Sequence, residues 1–83
     1  MNPSITFPVY RKYKNKLSYF KINSDSNFEE IKIMANQGSI HTFNAKILPD
    51  RNFIYDMLYN YNEHWEESNE LEFNKIKVKF IKS

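Results

Sequence analysis

The sequence predicts an α+β fold, a four-stranded antiparallel meander followed by two helices packed on it. Three observations predict it. Apolar and polar residues alternate in short runs as far as Ile47, and clusters of turn formers separate the runs. Beyond Pro49 the apolar residues recur three and four positions apart, the spacing of one helical face. The chain has 83 residues, enough for one small domain (1–83) that buries about 60–65 % of its unfolded surface.

The first two strands are Val9–Tyr13 and Leu17–Asn23, flanking Lys14-Asn15-Lys16, which is short enough for a hairpin loop. In the second, Phe20 and Ile22 share a face. Ser24-Asp25-Ser26-Asn27 is the next turn, because these side chains bond back to nearby backbone groups. Phe28–Ala35 then sets Ile31, Ile33 and Ala35 against Lys32 and Met34. Asn36-Gln37-Gly38-Ser39 holds the sole glycine of the sequence, which is expected to supply the positive φ of a hairpin loop. Ile40–Ile47 completes the meander, with His41, Phe43, Ala45 and Ile47 on one side. Leu17, Tyr19, Met34 and Ile40 fall on the face opposite the main core set. That face needs a partner or a second copy, unless the last helix folds over it.

Pro49 ends the sheet, and Asp50 is the expected N-cap of the first helix. Phe53, Ile54, Met57, Leu58 and Tyr61 form its apolar stripe, while Tyr55 and Tyr59 lie outside it. Trp65-Glu66-Glu67-Ser68 reads as loop. Asn69 and Glu72 have capping-box spacing, and Phe73, Ile76 and Phe80 share a helical face, so a second helix is expected from Asn69 to about Lys82. Residues 76–82 also alternate like a strand, which leaves a fifth strand as the alternative.

Composition excludes several chemistries. Cysteine is absent, so the chain has no disulfide, thiolate metal site or thiol nucleophile. One glycine cannot build a phosphate-cradling loop, and no HExxH or Gly-x-Ser-x-Gly motif occurs. His41 and His64 are the two histidines, and His64 lies among Glu63, Glu66 and Glu67. A metal site would require the two histidines to converge with a carboxylate. The expectation is no enzyme, no metal and no cofactor. The N-terminal MNPSITFPVY lacks the apolar core of a signal peptide, and no run is long enough to span a bilayer, so a cytoplasmic protein is expected.

Charge is segregated. Residues 1–23 carry +5, residues 24–72 carry −7 and residues 73–83 carry +4, within a net charge of +2. Either a basic patch faces a partner or the basic ends fold against the acidic middle. The sharpest case is YRKYKNK at the first hairpin. Tyr10, Arg11, Lys12, Tyr13, Lys14 and Lys16 combine the phosphate-neutralising and base-stacking groups of a nucleic-acid grip. In a strand, however, Tyr10 and Lys12 share one face and Arg11 and Tyr13 the other, so the aromatics are split. The favoured reading is a small non-enzymatic module that binds a protein or a second copy of itself, with Tyr19, Tyr55 and Tyr59 as contacts. Nucleic-acid binding by the basic hairpin is the alternative.

Overall fold

The computed structural model of the chain describes residues 5–81. Its order is β1 (Val9–Tyr13), β2 (Ser18–Ser24), β3 (Asn27–Met34), β4 (Gln37–Asn44), α1 (Leu48–Tyr59), β5 (Trp65–Glu67) and α2 (Glu70–Phe80). The meander is present and gains a further strand. The five-stranded sheet runs β4-β3-β2-β1-β5, antiparallel throughout. The structure thus holds both the second helix and a fifth strand. That strand lies ahead of the helix at Trp65–Glu67, where a loop was expected. Lys82, the expected end of the helix, lies outside the described residues.

Turn chemistry fixes the register. In the first loop Lys16 adopts a φ of 62°, its N–H donates to Tyr13 O at 2.8 Å, and the Asn15 carboxamide accepts from Leu17 N–H at 2.9 Å. In the second, the Ser24 hydroxyl accepts from Ser26 N–H at 3.2 Å, the back-bonding expected of that cluster. The third loop departs from expectation. Met34 pairs with Gln37, so Ala35 and Asn36 form the turn, and Ala35 carries the positive φ of 57°. Gly38 lies in β4 without a positive φ. A Cβ there would sit 2.6 Å from Phe80 Cβ. Its glycine lets α2 approach β4 closely.

The helix ends differ in kind. Asn69 caps α2, its side chain accepting from Glu72 N–H at 2.8 Å. Asp50 does not cap α1. That helix starts at Leu48 after Ile47, whose apolar side chain offers no capping bond, and Asp50 sits in its first turn. Pro49 falls in that turn too, where its missing N–H costs nothing because the position has no intrahelical acceptor.

Each helix covers one face of the sheet. Ile54, Met57 and Leu58 of α1 bury Phe20, Ile22, Phe28, Ala45 and Trp65. Phe73 of α2, flanked by Ile76 and Phe80, buries Tyr10, Tyr19, Ile31 and Ile33. The face opposite the main core set is therefore roofed by α2. Tyr19 and Ile40 belong to its cluster, while Leu17 and Met34 stay exposed near strand ends.

Candidate functional site

Strand alternation divides the basic-aromatic hairpin between the two layers. Tyr10 and Lys12 point toward α2. The Tyr10 ring is buried 5.7 Å from Phe73, and burial, then the charges of Glu70 and Glu29, push its hydroxyl pKa up. Lys12 Nζ bonds Glu72 Oε2 at 2.9 Å, which joins β1 to the first turn of α2. That bond raises the Lys12 pKa despite partial burial. Burial alone would raise Glu72, but hydrogen bonds from the Ser68 hydroxyl and Lys12 outweigh it and hold the carboxylate below its ordinary value.

Arg11 and Tyr13 point toward α1. Arg11 Nε donates to Met57 O at 2.8 Å, one of the carbonyls left without an intrahelical partner in the last turn of α1. One terminal nitrogen donates to Tyr10 O at 3.0 Å, and the guanidinium lies 3.9 Å from the centre of the Tyr61 ring. Burial lowers the Arg11 pKa, opposed by Tyr61 and Glu67. Tyr61 in turn donates to Glu67 at 2.7 Å. Tyr13 stacks on Trp65 at 5.6 Å and meets Phe20 edge-on at 5.1 Å. Of the six hairpin residues singled out, Lys14 and Lys16 alone are exposed.

The first basic segment meets the acidic middle in register. Arg11 lies opposite Glu67, Lys12 opposite Glu66, and Lys21 opposite Glu29. Charge segregation left this outcome open beside a basic patch, because Arg11 and Lys12 are distant in sequence from Glu67 and Glu66 and meet them through pairing alone.

The three tyrosines separate as well. Tyr19 is 5 % exposed beneath α2, whereas Tyr55 and Tyr59 are 53 % and 40 % exposed. One helical turn apart on α1, the last two bring their ring centres within 4.7 Å. They border a cleft of about 400 Å³ whose other walls are Ile54, Leu58, Ile5 and Phe7, with Arg51 and Asp25 at its polar margin. Tyr59 also borders a second hollow of about 440 Å³, polar and edged by Asp56, Glu63 and His64. The N-terminal segment was not legible as a site element. Phe7 precedes the first strand, and nothing in its spacing announces contact with a helix more than forty residues away.

His41 lies on β4 and His64 immediately before β5, at opposite edges of the sheet. Among the described residues no group of three His, Asp or Glu side chains is arranged to hold a metal ion. No helix among them is long and apolar enough to cross a membrane. No family model, curated protein or solved structure matches the chain.

Proposed function

We propose that the chain is a small non-enzymatic module that binds another protein through the cleft beside Tyr55 and Tyr59. The observation that carries this is the exposed tyrosine pair at the border of an apolar cleft, with the acidic hollow adjoining it at Tyr59. Tyrosines bury much area at low entropic cost and serve as interface anchors. Asp56 and Glu63 favour a partner segment with a basic residue beside its apolar anchor. The non-enzymatic half draws support from the histidines, which stand at opposite sheet edges. Nucleic-acid binding draws less support, since Tyr10, Arg11, Lys12 and Tyr13 are engaged within the fold.

The test is affinity capture from extract of the source cells, comparing the native chain with the Tyr55→Ala/Tyr59→Ala variant by quantitative mass spectrometry. Both proteins should unfold cooperatively, the variant at a modestly lower temperature, because Tyr55 is 53 % and Tyr59 40 % exposed. A bound protein should be lost from the variant, with affinity reduced at least about tenfold if the pair forms a hot spot. Identical captured sets from two folded proteins would rule the cleft out. Retardation of a mixed oligonucleotide at low salt, relieved by salt, would favour the hairpin instead.

A further inference from the structure

We infer that the free edge of β4 pairs antiparallel with β4 of a second copy, forming one continuous ten-stranded sheet across a two-fold axis. This assignment does not depend on the tyrosine cleft, which lies elsewhere on the molecule.

Among the described residues, strand β4 is outermost in the sheet and has β3 as its one strand neighbour. Two hydrogen bonds fix which way its backbone groups point. Ala45 N–H donates to Ser26 O at 2.7 Å, directed inward, and Ile33 N–H donates to Leu17 O at 2.9 Å, on the β2 side of β3. Alternation then turns Gln37, Ser39, His41 and Phe43 toward β3. The N–H and C=O groups of Gly38, Ile40, Thr42 and Asn44 point outward.

Exposed edges are ordinarily blunted by lysine, proline, a bulge or brevity. Residues Gln37–Asn44 include no Lys, Arg, Asp, Glu or Pro, and their register with β3 is unbroken from Asn44 to Gln37. The opposite edge is different: β5 has three residues, two of them glutamates. The chain blunts one edge and leaves the other open.

A second copy is the occupant that this edge fits. In an antiparallel pair each outward residue offers one donor and one acceptor, so a two-fold axis matches the strand to itself. The lack of charge means that no like charges meet when it does so. Phe43 and His41, exposed on the α1 face, would gain cover. Helix α2 approaches β4 over its face at Gly38, and among the described residues no strand pairs with the outer edge of β4.

The experiment combines light scattering with amide hydrogen exchange on the intact chain. The native protein should approach twice the mass of one chain as concentration rises. Exchange at Ile40 and Thr42 should slow at least about tenfold with concentration, while Ser39 and His41, already bonded to β3, change less. In Thr42→Lys the new lysine faces Glu29 across the β3–β4 pair, so the fold should hold while the edge is blocked. That variant should remain monomeric, and Tyr55→Ala/Tyr59→Ala should still dimerise. A native chain that stays monomeric to roughly 1 mM overturns the inference. So does a dimer that Thr42→Lys leaves intact, or one in which the Ile40 and Thr42 amides exchange at an unchanged rate.

Discussion

Ala35 holds a left-handed conformation at the first central position of the β3–β4 turn, where a Cβ crowds the following carbonyl. Ala35→Gly should therefore stabilise the chain, by about 1 kcal/mol less the extra freedom glycine gives the unfolded state. Gly38→Ala should act in the opposite sense. Its Cβ would sit 2.6 Å from Phe80 Cβ, an atom fixed to the α2 backbone, with Ile81 Cδ1 at 3.3 Å, so an overpacking cost of about 1–3 kcal/mol is expected. Urea unfolding of both variants checks the pair. The same scale governs the pH response. Glu72 has a depressed pKa in the folded state, so it contributes stability above its ordinary value of 4.5 that is lost as pH falls through the folded value. Lys12 has a raised pKa, so its contribution holds below 10.5 and is lost as pH rises through the folded value. Glu72→Gln should flatten the acid limb of stability against pH, measured by urea midpoints between about pH 2 and 6.

The elements divide between those set by local signals and those set by partners. Asn69 and Glu72 marked the start of α2 because a capping side chain acts on an amide three residues away. The reciprocal bond of the box is replaced: the Glu72 carboxylate goes to Ser68 and Lys12 instead. Asp50 carried an equally good local signal, yet α1 begins earlier, since Pro49 fits a first turn as readily as it stops a strand. Asn69→Ala should thus cost about 1 kcal/mol. Asp50→Ala should cost less, about 0.3–1 kcal/mol through the helix dipole. Thermal unfolding of the two variants distinguishes them. At three residues β5 is too short to show a period. It forms because Trp65 is buried against Tyr13 and Phe53 while β1 offers an unpaired edge beside it.

At the scale of the molecule, one sheet separates two apolar clusters, each closed by one helix. Adjacent residues of β2 couple them: Tyr19 enters one cluster and Phe20 the other. A domain of this size is held by roughly 4–12 kcal/mol. Phe73→Ala, which empties the centre of the α2 cluster, should remove about 3–5 kcal/mol of that. The loss should appear as a single shifted transition, with far-ultraviolet dichroism and Trp65 fluorescence coincident although Trp65 lies on the other face. Separate transitions would show that the two layers unfold independently.

By itself the sequence determined the meander, the two helices and the apolar stripe of each, because periodicity and turn chemistry act within a few residues. Tertiary structure alone decided the fifth strand, the roofing of Tyr19 by α2, the glycine beneath Phe80, and the pairing of Arg11 and Lys12 with α1 and α2. Each of these depends on groups distant in the chain, whose meeting is fixed by strand order and by which face each helix covers. No local pattern encodes either one.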